Sequence, residues 1–164
     1  MISRWLQNLT TTHFALRRHF PRATLSAIDA VITASERAHR GEIRFAGETA
    51  LPVGELFGGI TSTARAAAVF SGLGVWDTAE NNGVLLYVLL AERRIEIVAD
   101  RGFAGRVAPE EWAGICREME AAFRAGRYEA GTLAALERIS ALARRHFPAD
   151  GEDRNELPDR TVLL

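Results

Sequence analysis

The stretch "VWDTAENNGVLL", residues 75–86, sets Asp77, Glu80, Asn81 and Asn82 directly before one of the most apolar runs of the chain. A tight turn needs one such side chain, because Asp and Asn hydrogen-bond their own backbone and tolerate left-handed φ. Several oxygen-bearing groups together offer another chemistry, the binding of hard cations. Calcium takes about six to eight oxygen ligands in flexible geometry, and magnesium about six with retained waters. Turn and site are both open readings of these residues, and the choice depends on what the chain brings beside them.

The surrounding elements follow from periodicity. Residues 5–19 read as weakly helical, ending at Phe20-Pro21. From Ala23 to His39, Leu25, Ile28, Val31, Ile32 and Ser35 recur at helical spacing, and Gly41 ends the helix. "EIRFA", 42–46, alternates like a half-buried strand with Ile43 and Phe45 inward. Residues 47–61 read as a loop, followed by a helix capped by Thr61 or Ser62 and running to about Phe70. "GVLLYVLLA", 83–91, is apolar on both faces and predicts a central strand covered on both sides. "ERR" is too short for anything but a hairpin, so "RIEIVA" returns antiparallel. Pro109 with Glu110 and Glu111 opens a helix whose stripe is Trp112, Ile115, Met119 and Phe123. Gly126 breaks it, and Tyr128–His146 forms another.

A strand–helix–strand unit is normally a right-handed parallel crossover. The predicted fold class is therefore α/β: a three-layer αβα sandwich, Rossmann-like, whose small mixed sheet combines a parallel crossover with an antiparallel hairpin. This path answers part of the opening question. Two parallel strands start at one end of the sheet with Glu42 and Gly83, the returning strand finishes there with Asp100 and Arg101, and the helix before Gly41 delivers Glu36 and His39. Asp77, Asp100, Glu80, Asn81, Asn82 and Glu42 are the candidate cation ligands, with Arg101 a candidate phosphate-binding group. Glu36 and His39 are weaker candidates. Their spacing is that of a carboxylate–histidine metal pair, but only one such pair exists, and a solvated last helical turn accounts for them.

Composition excludes other chemistries. All 20 Lys+Arg residues are Arg. Without Lys there is neither a phosphate-loop lysine nor a Schiff base for pyridoxal phosphate. Gly72 and Gly74 follow a helix, the wrong context for a dinucleotide fingerprint, so no nucleotide is expected. The single Cys116 rules out a multi-cysteine structural zinc site and reads as packing. Trp76 and Trp112 read as space-filling. A net charge of −1 gives no global field for nucleic acid. The longest apolar run, Val84–Ala91, is too short to span a bilayer, and the N-terminal stretch lacks the apolar core of a signal peptide. A cytoplasmic, soluble protein is the expectation.

"NNGVLLYVLLAERRIEIVADRGF" followed by "WAGICREMEAAFRAGRYEAGTLAALERI" resembles the TPM domain family, from about Glu36 to Phe147. The order and spacing carry the likeness: Asn82-Gly83 opening an apolar strand, a hairpin ending near Gly102, and Phe123, Gly126, Tyr128 and Gly131. The resemblance implies an αβα sandwich with a small mixed sheet and divalent-cation binding, calcium or magnesium, in acidic loops at one sheet edge. It also implies roles in repair or membrane-protein assembly, and a plant member is regarded as an acid phosphatase. Many relatives carry a signal peptide, a membrane helix and a Gly-rich tail, none of which is visible here, so the likeness is to a soluble, single-domain subgroup. The expected organisation is an N-terminal helical segment at 1–22, a TPM-like domain at 23–148, and a polar, disordered tail at 149–164. With the resemblance, a metal site is favoured over turns alone. The function expected is a cation-ordered interaction module engaging a protein partner, with a metal-dependent phosphatase-like hydrolase as the alternative.

Overall fold

The computed structural model describes residues 4–151 and 155–164. Seven helices, α1 (Arg4–Thr10), α2 (His13–His19), α3 (Arg22–Glu36), α4 (Val53–Phe57), α5 (Ser62–Gly72), α6 (Pro109–Arg124) and α7 (Tyr128–His146), accompany four strands, β1 (Glu42–Glu48), β2 (Gly83–Leu89), β3 (Arg94–Ala99) and β4 (Val162–Leu163). The sheet order is β3-β2-β1-β4. β1 and β2 are parallel with Glu42 opposite Gly83, and β3 pairs antiparallel with β2, Val84 opposite Ala99. The expected mixed sheet and αβα layering are present.

The local reasons match the sequence. Thr61 accepts the Ala64 amide at 3.1 Å and caps α5. Pro109 starts α6, where the Glu111 carboxylate accepts the Ala108 amide at 3.1 Å. Gly126, at φ 74, separates α6 from α7. One face of the sheet, with Ile43, Phe45, Val84, Leu86 and Val88, packs on Ile28, Ile32, Ile115, Met119 and Ile139 of α3, α6 and α7. The other, with Ala46, Leu85, Tyr87 and Leu89, packs on Leu56, Ala66, Val69 and Phe70 of α4 and α5. Each of the Val, Leu, Ile, Phe and Met side chains among them contributes about 1.5–3 kcal/mol on burial.

Three expectations need correction. Residues 47–61 are not all loop, since α4 lies within them. β1 is not half-buried: all seven of its residues are buried. The cause is the third difference, the C-terminal segment. A disordered tail was expected over 149–164; residues 155–164 instead run along the outer side of β1. Val162 and Leu163 pair parallel with Ala46 and Gly47, and Leu157 is buried in the second core. The backbone of this segment serves the strand beside it. The amides of Glu156 and Leu157 donate to the Glu42 carboxylate at 3.0 and 3.2 Å, Arg44 donates to the Pro158 carbonyl, and Asp29 of α3 accepts the Thr161 amide at 2.7 Å. Residues 152–154 lie outside the described residues.

β1 thus carries Glu42, Arg44 and Glu48 into the interior on one face, where each finds at least one partner, although the Arg44 Nε has none among the described residues. Glu48 receives Arg65 through two bonds, at 2.9 and 2.8 Å, and the Tyr87 hydroxyl. Burial raises the Tyr87 pKa, with the neighbouring Glu48 adding to the effect. At the head of the strand Glu36 accepts the Ile43 amide at 3.5 Å. Burial first, then the charges of Glu42 and Asp159, push the Glu36 carboxyl up to about 9. Glu42 is raised too, chiefly by burial.

These carboxyls make stability pH-dependent. Glu36 holds its proton in the native state where the unfolded chain has released it, so stability falls as pH rises from its ordinary 4.5 toward about 9. The slope for one such group is at most about 1.4 kcal/mol per pH unit. Glu36→Gln is expected to flatten that decline and to raise stability at pH 8 relative to the parent. Urea unfolding at pH 5, 6.5 and 8 measures it, and parallel pH profiles for parent and variant would contradict it.

Candidate functional site

The rim begins with the crossover and the hairpin. β1 and β2 start side by side, and β3 ends beside the start of β2, where the Asp100 amide donates to the Gly83 carbonyl at 2.8 Å. The Gly102 amide donates to the Asn81 carbonyl at 2.8 Å, and Arg101 Nε donates to Asn81 Oδ1 at 2.7 Å. The loop before β2 and the turn after β3 are therefore joined by two hydrogen bonds, with a third from the turn to the first residue of β2. Asn81 has φ 53, the left-handed conformation that Asn adopts more readily than most residues. Thr78 organises the loop from within. Its carbonyl accepts the Asn81 amide at 3.2 Å and its hydroxyl accepts the Asn82 amide at 3.0 Å.

Two glycines make this meeting possible. A Cβ on Gly83 would lie closer than 3.0 Å to the Val75 carbonyl oxygen, and one on Gly102 would do the same to the carbonyls of Asn81 and Glu80. In both cases the obstructing atom is backbone, which has little room to move.

The candidate ligands now divide. Asp77 and Asp100 stand in the two joined loops, Asp77 exposed and Asp100 half-buried. Asp100 Oδ1 accepts the Arg101 amide at 2.7 Å, capping a single 3-10 turn over Arg101–Phe103. Its Oδ2 is buried and has no hydrogen-bond partner among the described residues. Asn82 is 3% exposed; its amide nitrogen donates to the Arg40 carbonyl at 2.6 Å, and its Oδ1 is likewise buried and unpartnered. Asn81 already serves Arg101. Glu80 pairs with Arg40 at 2.9 Å, and Glu42 is occupied by the amides of Glu156 and Leu157. The weaker candidates are not a solvated helical turn: Glu36 and His39 are 6% and 2% exposed. His39 Nε2 lies 3.1 Å from Ser140 Oγ on α7, while Glu36 faces the Ile43 amide, so the two have different partners.

Among the described residues no three His, Cys, Asp or Glu side chains gather closely enough to hold a metal ion by themselves. A cation at this rim would take amide and backbone oxygens and water beside Asp77 and Asp100, a donor set suited to calcium or magnesium. Arg40, Thr78 and Glu156 were not singled out from sequence. Arg40 bridges Glu80 and Asp150, and Glu156 accepts the Ala79 amide at 2.8 Å. Nothing in the local context of Arg40 and Glu156 marks them, because their partners lie on distant segments, whereas Thr78 acts within its own loop.

Other side chains resolve as packing or surface. Burial pushes the Cys116 thiol up to about 11. Trp112 meets Phe103 edge-on at 5.6 Å. Trp76, expected to fill space, is 55% exposed beside Asp77. Gly83→Ala and Gly102→Ala are each expected to destabilise the fold by about 1–3 kcal/mol, the usual cost of inserting a methyl group into packed backbone. Gly72→Ala, where nothing lies within 4 Å, serves as the neutral control in thermal unfolding.

The TPM domain model matches residues 18–142. No curated protein matches the chain. The chain is similar to BA42 protein from the psychrophilic bacterium Bizionia argentinensis, solved by NMR, at 26% identity over 87% of this chain and 93% of that one, with a TM-score of 0.76. It also shares its fold with the N-terminal domain of a P. gingivalis protein, at 19% identity over 78% of this chain and 80% of that one, with a TM-score of 0.60. The two solved structures agree with the sandwich described above, and the family match extends from the end of α2 into α7, across both loops of the rim: the chain belongs to the TPM domain family.

Proposed function

We propose that this TPM domain binds a divalent cation, calcium or magnesium, where the 77–82 loop meets the turn after β3, and that the cation orders these loops into a surface for a protein partner. The observation that supports the reading is the pair of buried, unpartnered oxygens, Asn82 Oδ1 and Asp100 Oδ2, on either side of Gly83. A buried acceptor without a donor costs about 1–3 kcal/mol. A cation, directly or through its water, would supply what the protein does not. Asp77 and Asp100 provide the charge; Glu80 and Glu42 are held by protein partners and act around the site rather than in it. With few carboxylates the affinity belongs in the weak range of about 10⁻⁴–10⁻³ M.

A hydrolase is the second reading. Arg101 is exposed, and only its Nε is engaged by Asn81, which leaves the rest of the planar fork for a phosphate oxygen next to Asp100. A bound cation would polarise the phosphoryl group and activate water.

Calcium and magnesium titrations followed by amide NMR are expected to shift residues 77–82 and 100–106, and terbium emission is expected to be sensitised through Trp76. Asp77→Asn with Asp100→Asn should weaken both responses at least tenfold while leaving the fold intact. Shifts without turnover on a panel of phosphate esters support the module, and cation-dependent turnover lost in Arg101→Gln supports the hydrolase. No shift in either loop up to 10-fold above about 10⁻³ M cation would end both readings.

A further inference from the structure

We propose that the face formed by α1, α2 and α4 docks on an anionic lipid bilayer, with Trp5, Leu6, Leu9, Phe14 and Phe57 entering the interface and Arg17 and Arg18 meeting the headgroups. The first observation is that α1 is packed the wrong way round for a helix that serves only its own domain. Its buried residue is Asn8, whose Oδ1 accepts the Leu51 amide at 2.8 Å and whose amide nitrogen donates to Glu92 at 3.1 Å. Arg4, on the same inward side, donates to Glu92 at 2.6 Å and to the Ile60 carbonyl. Leu6 and Leu9 point outward, 54% and 62% exposed. Polar anchors hold the helix in place so that its apolar side faces away from the core.

That side is continuous with its neighbours. Trp5 meets Phe57 of α4 in a tilted ring contact, centroids 4.6 Å apart, and Phe57 and Phe14 are 74% and 75% exposed. Of the large apolar side chains exposed among the described residues, Trp5, Leu6, Leu9, Phe14, Val53 and Phe57 belong to this face, and only Trp76 and Leu164 lie elsewhere. An apolar patch gathered in this way marks an interaction surface.

Charge identifies the occupant. Residues 4–28 contain Arg4, Arg17, Arg18 and Arg22 and no acidic residue; Asp29 is the first. Arg4 is neutralised by Glu92. Phe14 and Arg18, four apart on α2, share its outer side, and Arg17 is also exposed. Leucine and aromatic side chains ringed by arginine suit acyl chains beneath anionic headgroups, where charge and insertion together give the stable attachment that neither gives alone. Among the described residues no helix is long and apolar enough to cross a membrane, and the attachment proposed is one of side chains entering the interface. The face lies over the β2–β3 turn, at the end of the sheet opposite the loop rim, and does not depend on the cation reading.

Co-sedimentation of the full chain with vesicles tests the proposal. Phosphatidylcholine vesicles containing phosphatidylglycerol are expected to bind at least tenfold more strongly than phosphatidylcholine alone, and high salt should erase most of the difference. Leu6→Gln with Leu9→Gln should lose at least tenfold, and Arg17→Gln with Arg18→Gln should lose the preference for anionic lipid; all four positions are exposed, so circular dichroism should be unchanged. Chelator should have no effect, which separates this test from that of the cation site. Absence of binding to anionic vesicles overturns the proposal. So does binding that survives the leucine substitutions, or self-association that those substitutions abolish while no vesicle is bound.

Discussion

A central strand that carries charge into the interior governs much of this structure. Along β1, Glu42, Arg44 and Glu48 alternate with Ile43 and Phe45, and the strand is covered on both faces. Desolvating three charged side chains is tolerable only if each finds partners inside. Glu48 requires Arg65 and Tyr87, which ties α5 to the second face of the sheet. Arg44 and Glu42 require backbone groups from residues 156–158, which brings the C-terminal segment back across the molecule. Arg44 is lowered by its desolvation, though Asp159, Asp29, Glu36 and Glu42 all act against the loss. The segment's fourth-strand pairing with Ala46 and Gly47 then follows at little further cost, since the chain is already there.

The same constraint shapes the rim. Glu42 begins β1 where the loops converge, yet the C-terminal segment takes its carboxylate and removes it from the oxygens available to an ion. Glu80 is likewise drawn to Arg40, which also reaches Asp150. What remains is a small set, Asp77 and Asp100 with the Asn82 amide oxygen. Burial raises the pKa of the carboxyls just inside the rim, Glu36 up to about 9 and Glu42 in the same direction. They are part of how β1 and its cover stay together, and the raised Glu36 pKa is the reason stability is expected to fall toward alkaline pH.

Much of the fold was legible in the residues. The doubly apolar 83–91 run, the short "ERR" turn and the helical stripes of α6 and α7 are local patterns, and local patterns survive folding when they agree with their surroundings. The convergence of the 77–82 and 100–102 loops was legible too, because a crossover and a hairpin leave the chain few paths. The burial of β1 was not. An alternating strand looks half-exposed until something covers its polar side, and here the cover lies more than a hundred residues away in a stretch whose composition resembles a disordered tail. Glu36 and His39 illustrate the same failure: helical spacing placed them together, but their actual partners, the Ile43 amide and Ser140, belong to other elements.

The N-terminal helices mark the opposite limit. Their weak helical pattern was visible, but which side faced inward was not, because α1 is positioned by Glu92, Ile60 and Leu51 rather than by its own apolar residues. The sequence by itself determined most of the elements, α4 and β4 excepted, the mixed αβα layering and the loop residues that meet at one rim, since periodicity, turn length and handedness are short-range properties of the chain. Only the tertiary structure decided which carboxylates remain available, what covers β1 and which face of α1 is left outside. Those outcomes depend on competition for hydrogen-bond donors and acceptors between segments far apart along the chain, and no local pattern records who wins it.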